Sequence, residues 1–213
     1  MSELDIIIVN YNSTQYLQKC LRSIYAGMVG IGANVFVVDN ASADNVDCIK
    51  EAFPDVNLLK LNKNIGYAGA VNRCLPRCTT PFVVVMNPDI SVNTGCFQSI
   101  LKYMDENEAV AIVGPKVIDD DNSIQGSARS FPTPLTALFG RSSFLTKVLP
   151  NNRISCKNIL TGSVGINHPV EVDWVSGAFM AVRKSAIDSV GPMDDRFFLY
   201  WEDADWCKRM SLA

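Results

Sequence analysis

Apolar residues in this chain fall into short unbroken runs, and between them apolar positions recur every three or four residues. The first run is DIIIV (5–9), rich in β-branched residues, and it predicts a short strand. NYNST follows with helix-capping chemistry. Leu17, Cys20, Leu21 and Ile24 then trace one face of a helix. NVFVVD (34–39) predicts a second strand that ends on an acid. ASADN supplies a turn, and Val46, Ile49 and Phe53 predict a helix stopped by Pro54. VNLLKL (56–61) is a third strand. The glycine-bearing loop NKNIGYAGA (62–70) opens a helix that Pro76 closes. PFVVVM (81–86) is a fourth strand, buried on both faces. Phe97, Ile100, Leu101 and Met104 mark another amphipathic helix, and AVAIVGPKVI (109–118) predicts a fifth strand.

Strands alternating with helices over residues 1–118 predict an α/β fold. Its sheet should be mostly parallel, Rossmann-like and flanked by helices on both faces. The rhythm breaks after Asp119. DDDNS reads as a turn, and residues 121–170 read as a loop-rich insertion of Ser, Asn, Gly and Pro. EVDWVSGAFMAVRK (171–184) predicts two short strands around Ser176-Gly177. A helix over 185–190 should end at Gly191-Pro192, and a last element begins near Glu202. The closing CKRMSLA is helical in character and carries no stop signal, which reads as a cut within a longer chain or as a last helix that simply frays.

Composition narrows the classes. A chain of 213 residues with 48% hydrophobic content suits a full core and excludes disorder. A net charge of -3 offers no basic face, so nucleic acid is not an expected partner. Seven cysteines in no framework pattern point to a reducing, cytoplasmic compartment. The start MSELDIIIVNYN lacks the basic region of a signal peptide, and no apolar run is long enough to span a bilayer. Phe139, Phe144, Leu145 and Leu149 with Arg141 and Lys147 leave open peripheral attachment at the inner membrane face through 131–149. The competing reading is a covered loop or short helix.

Candidate chemistry sits where strands end. Asp39 closes the second strand, where a carboxylate can accept from a ribose hydroxyl or a pyrimidine N–H, or simply serve a turn. Gly66 and Gly69 permit a close backbone approach before a helix N-terminus, as in a phosphate-binding turn or any tight connection. The fourth strand runs into Asn87, Pro88 and Asp89. One carboxylate there suits Mg²⁺ or Mn²⁺ if a diphosphate supplies further oxygens, and Asn-Pro-Asp is equally ordinary turn material. YWEDADWCKRM (200–210) is the densest cluster. Glu202, Asp203 and Asp205 fall in one helical turn between Trp201 and Trp206, and Asp205 and Arg209 are spaced for an ion pair. A carboxylate beside an aromatic wall suits a general base. His168 is the sole histidine, which excludes histidine triads and multi-histidine metal sites. Cys74 and Cys78 lack the second pair a zinc site needs.

Taken in order, IIIVNYNS, VVDNASAD, NIGYAGAVN, MNPD and VSGAFMAVRKSAIDSVGPMDDRFFLYWEDADWCKR resemble glycosyltransferase family 2, the inverting enzymes of GT-A fold. The NPD variant and the WED-x-D string resemble its rhamnosyltransferase-like members. The resemblance implies a nucleotide-sugar-binding half over 1–118 and an acceptor-binding, catalytic half with a smaller β/loop region over 119–213. It implies a UDP- or dTDP-sugar donor, with dTDP-rhamnose among the candidates, and a glycan or lipid-linked acceptor in cell-surface polysaccharide synthesis. Val9, Asn10, Tyr11 and Asn12 would line the nucleobase pocket, with Asp39 on the base and Asn40 beside it. Asn64, Gly66 and Asn72 would support the donor near its diphosphate. Asn87 and Asp89 would replace the metal-binding DxD pair, with Asp89 as the metal ligand. Trp174, Ser176, Gly177, Trp201 and Glu202 would border sugar and acceptor, and Asp203 would be the base. Family members continue past this point and carry a further histidine that assists the metal or diphosphate.

Two other classes compete. One is a nucleotide-sugar-binding chain without turnover. The other is a sugar-phosphate nucleotidyltransferase, which would want a basic, glycine-rich loop after the first strand where this chain has NYNSTQ.

Overall fold

The computed structural model describes residues 3–131 and 168–213. They divide into two compact units: Met1–Pro115 with Gly177–Ala213, and Lys116–Ser176.

The first unit carries a six-stranded sheet. Its strands are β1 (Leu4–Asn10), β2 (Ala33–Asp39), β3 (Asn57–Lys60), β4 (Phe82–Met86), the two-residue β5 (Ile112–Val113) and β8 (Phe179–Arg183), in the order β3-β2-β1-β4-β8-β5. The first four are mutually parallel; β8 runs antiparallel to both β4 and β5. The helices α1 (Thr14–Gly27), α2 (Asp47–Ala52), α3 (Gly66–Cys74) and α4 (Cys96–Glu106) connect them. Two more, α5 (Lys184–Val190) and α6 (Glu202–Ser211), follow β8.

Each of β1, β2 and β4 is a run of β-branched residues because both sheet faces are covered. Leu4, Ile6 and Ile8 join Leu17, Leu21 and Ile24 of α1, Ile49 of α2 and Phe97, Ile100, Leu101 and Met104 of α4 in one cluster. Ile7 and Val9 face the other way, are equally buried, and lie on the side where α3 packs on β1 and β2. Each such side chain contributes about 1.5–3 kcal/mol. The buried Asp5 breaks the apolar pattern for a structural reason. Its carboxylate accepts from Asn34 Nδ2 at 2.7 Å and from the N–H groups of Thr79 (2.7 Å) and Thr80 (3.0 Å), tying β1 to β2 and to the entry of β4.

Three sequence expectations change. The run 109–118 supplies only Ile112–Val113 to the sheet, at its edge and against β8. Gly114-Pro115 ends it, since proline has no N–H for a ladder. The run's tail, Ile118, bridges Ile124 in the second unit. The two strands around Ser176-Gly177 both exist but join different sheets. β8 enters the large sheet, while β7 (Trp174–Val175) pairs antiparallel with β6 (Ala128–Arg129) in the second unit. NYNST does not cap its own helix: Ser13 Oγ donates to Tyr11 O, and the Thr14 N–H is taken by Asp44 Oδ2 at 3.0 Å.

In the second unit, residues 119–123 form the expected turn, with the Asn122 N–H on Asp119 O and Gln125 Nε2 on Asp119 Oδ1 at 2.8 Å. Residues 132–167 of the insertion, including nearly all of the segment considered for membrane attachment, lie outside the described residues. Among the described residues no helix is long and apolar enough to cross a membrane.

Candidate active site

The parallel strands order as 3-2-1-4, so the direction of winding reverses between β1 and β4. In open α/β sheets ligands bind beyond the C-terminal ends of strands at such a point. Here those ends carry Asn10, Asp39 and, just past Met86, Asn87 and Asp89.

Asn10 and Asp39 are register partners and both buried. Asn10 Nδ2 donates to Asp39 Oδ1 at 3.0 Å and to Ser42 Oγ at 3.1 Å, and the Ser42 N–H donates to Asp39 Oδ2 at 3.3 Å. Asn10 Oδ1 is buried without a partner. Asn12 has a left-handed backbone (φ 52°). Its N–H donates to Ser42 Oγ at 2.9 Å, and its Oδ1 accepts from the Ala43 N–H at 2.7 Å. Tyr11 stands half-exposed between them, while Val9 is buried in the strand. The four residues 9–12 and Asp39 are thus gathered at one strand edge. Ser42, which the sequence reading passed over, joins Asn10, Asn12 and Asp39.

Beside them, Asn40 Nδ2 donates to Asn64 Oδ1 (2.9 Å) and to Gly66 O (3.2 Å), and its Oδ1 accepts from the Ile65 N–H (3.0 Å). Asn64 Oδ1 also takes the Gly66 N–H at 2.9 Å. Both amides therefore fix the loop that starts α3. The close approaches that the glycines allow are to protein: a Cβ at Gly66 would meet Phe198 O, and one at Gly69 would press on Ile65. Asn72 sits further along α3 and uses both ends of its amide on Met193, donating to its carbonyl at 2.8 Å and accepting from its N–H at 3.1 Å.

At the end of β4 the Asn87 N–H donates to Ala178 O at 3.0 Å, while Asp89 is exposed. Burial and then the Asp89 charge push the Cys20 thiol, behind this turn on α1, up to about 12.

The acids of 202–205 form the first turn of α6. Tyr200 and Trp201, just before it, are both left-handed, at φ 69° and 74°, a conformation that costs a non-glycine residue about 1–2 kcal/mol. Asp203 is held by two backbone donors: Gly177 N–H on Oδ2 and Ala204 N–H on Oδ1, both at 2.8 Å. Asp205 pairs with Arg209 as its spacing requires. Phe198, Leu199, Tyr200 and Trp201 present four consecutive exposed apolar side chains beside these acids. Trp174 and Ser176 belong to the second unit, where Trp174 Nε1 donates to Ser130 O and the Ser176 N–H to Ser127 O.

Tyr67, on the first turn of α3, was also missed by sequence reading. Burial, then the charges of Glu202, Asp203 and Asp89, hold its hydroxyl well above the usual range.

Glu202 is 5% exposed, and its Oε2 is buried without a partner. Burial pushes its carboxyl above the usual range. A backbone hydrogen bond opposes this, and the Asp203 charge adds to it. With a raised folded-state value, stability from this group is fully present below the unfolded value and is lost as pH rises through the folded one. Glu202→Gln is therefore expected to raise the melting temperature at pH 7, with the gain shrinking toward pH 4. A gain independent of pH in thermal denaturation would refute this.

An α/β sheet with a switch-point crevice, and a carboxylate held beside it on the last helix, is the arrangement of a GT-A glycosyltransferase. The sequence pattern of Glycosyl transferase family 2 matches residues 5–166, and the chain belongs to that family. It is 28% identical over 222 residues to an N-acetylglucosaminyl-diphospho-decaprenol L-rhamnosyltransferase of Mycobacterium tuberculosis (strain ATCC 25618 / H37Rv), covering 99% of this chain and 71% of that one. It is 26% identical over 216 residues to rhamnosyltransferase WbbL of Escherichia coli (strain K12), covering 98% and 76%. Among solved structures it superposes on the mannosyltransferase PcManGT from Pyrobaculum calidifontis, in complex with GDP-Man and Mn²⁺. The TM-score is 0.64 at 17% identity, and the match covers 98% of this chain and 51% of that one. The chain thus spans about half the length of that structure.

Proposed function

We propose that this glycosyltransferase moves a hexosyl unit, with rhamnose the leading candidate, from a UDP- or dTDP-sugar to a hydroxyl of a glycan or lipid-linked acceptor, with inversion. The observation that carries the reading is the Asp203 carboxylate, fixed by two backbone N–H groups, one of them from Gly177, whose neighbour Ala178 takes the Asn87 N–H at the end of β4. Asp39, Asn10, Tyr11 and Asn12 would receive the nucleobase, and the loop held by Asn40, Asn64 and Gly66 would border the donor. Asn72 would act by holding α3 in place. The exposed Tyr200–Trp201 turn and Gly177 would meet the acceptor sugar. The acceptor oxygen attacks the anomeric carbon opposite the departing nucleoside diphosphate. A C–O bond forms as the bond to the diphosphate breaks, and the acceptor proton passes to Asp203.

The donor set fits a divalent cation only in part. Among the described residues no three His, Cys, Asp or Glu side chains converge on one metal position. A Mg²⁺ or Mn²⁺ site built from one carboxylate and substrate phosphates needs no such cluster. Asp89, with the weaker Asn87 amide, would hold the ion, and a bound ion would offset charge on the leaving diphosphate. The decaprenol in the name of the Mycobacterium tuberculosis relative supports a lipid-linked acceptor, and the six described cysteines, all free, agree with a reducing compartment.

Calorimetric titration with UDP, dTDP and GDP, with and without Mn²⁺, tests the reading. A pyrimidine diphosphate should bind with Mn²⁺, and Asp89→Ala should weaken that binding about 10-fold or more. Folded protein that binds none of the three nucleotides would overturn the assignment of the crevice.

A further inference from the structure

We infer that Tyr67 is a positioning residue for Asp203, acting through Gly177; the catalytic meaning of this brace rests on the reading of Asp203 as base. Three hydrogen bonds carry the inference. Tyr67 Oη donates to Gly177 O at 2.9 Å. The N–H of the same Gly177 donates to Asp203 Oδ2 at 2.8 Å. The backbone N–H of Tyr67 donates to Phe198 O at 3.0 Å. One residue of α3 therefore holds both segments that reach Asp203: the glycine that grips its carboxylate and the turn that leads into its helix.

The residue types follow from this geometry. A glycine has the widest backbone freedom of any residue, so its N–H is a poor anchor unless its torsions are fixed from outside. Gly177 is fixed by a bond on its carbonyl and a bond on its N–H. A phenylalanine at 67 would fill the same space and leave the carbonyl without its donor. Burial, with the charges of Glu202, Asp203 and Asp89 adding to it, keeps the Tyr67 proton on, so the hydroxyl stays a donor across the working pH range. Tyr67 also follows Gly66 directly, so the brace starts from the loop that Asn40 and Asn64 lock. A misplacement of about 1 Å at a reacting group can cost about 10²-fold in rate. This is how a residue that touches no reacting atom would act on turnover.

The test reads the Gly177 amide by NMR and needs no substrate. Asp203→Ala should move the Gly177 amide resonance and speed its hydrogen exchange, because Oδ2 no longer accepts from it. In Tyr67→Phe, hydrogen exchange at Gly177 should accelerate about 10-fold relative to amides of β1 and β4, the loss of roughly one net hydrogen bond. Unchanged exchange at Gly177 in Tyr67→Phe would overturn the inference, as would a Gly177 amide indifferent to Asp203→Ala. Neither outcome touches the proposed function. That reading fails instead if Asp203→Asn still transfers sugar, and the brace is then judged on the NMR data alone.

Discussion

Asp203→Asn is expected to lower transfer by about 10²–10⁴-fold, the usual contribution of a general base, while nucleotide binding persists. Both carboxylate oxygens of Asp203 accept a backbone N–H. An amide can satisfy only one of the two; its NH₂ must face the other donor. The substitution therefore removes the basic oxygen and also strains one anchor, at an expected cost of about 1–3 kcal/mol in stability. The two effects separate in measurement. Thermal denaturation reads the second. Release of nucleoside diphosphate in the presence of acceptor reads the first, with the Kd for nucleotide from calorimetry as the control. Transfer at near wild-type rate with donor still bound would remove Asp203 from the mechanism.

The structure bears out the parts of the sequence whose signal is local. Ile6–Val9, Val35–Asp39 and Phe82–Met86 are strands because such runs can be buried only between two layers. The polar residues that stop them, Asn10, Asp39 and Asn87, therefore had to sit at one edge of a parallel sheet. The periodicity in α1 and α4 was equally direct, and Leu17, Leu21, Ile24, Phe97 and Met104 are all buried.

What local pattern does not encode is pairing across the chain. β8 enters between β4 and β5 and pairs Phe82 with Arg183, a partner about a hundred residues away. The apolar run at 109–118 could not announce that most of it would be excluded. The site shows the same limit. Asn40, Asn64 and Asn72 are conspicuous polar residues, yet their amides serve the backbone of 64–66 and 193. Ser42, Asp44 and Tyr67 look like turn and core material, and their roles come from contacts with β1, α1 and Gly177.

Gly66→Ala should be the most damaging single substitution for the scaffold of the site. Two costs coincide there. The backbone is left-handed at φ 79°, which costs an alanine about 1–2 kcal/mol. The added Cβ would also lie 2.5 Å from Phe198 O and 3.0 Å from Phe198 Cα, backbone atoms that no rotamer change can move aside. Overpacking of this kind costs about 1–3 kcal/mol more. Gly30 provides the internal comparison: it is left-handed at φ 82° but has nothing within 4 Å of an added Cβ. Gly30→Ala should therefore lose only the conformational part. The denaturant midpoint of Gly66→Ala should fall clearly further, and equal losses in the two variants would show that the Phe198 contact yields at no cost. Relief of the clash has one direct route, which is to push residue 198 away from α3. That would release the Tyr67 N–H from Phe198 O and shift the Tyr200–Trp201 turn from which α6 starts. The glycine that looks like a phosphate cradle in the sequence is, in the fold, the point where the loop before α3 meets the chain leading to Asp203. Its substitution should cost transfer as well as stability.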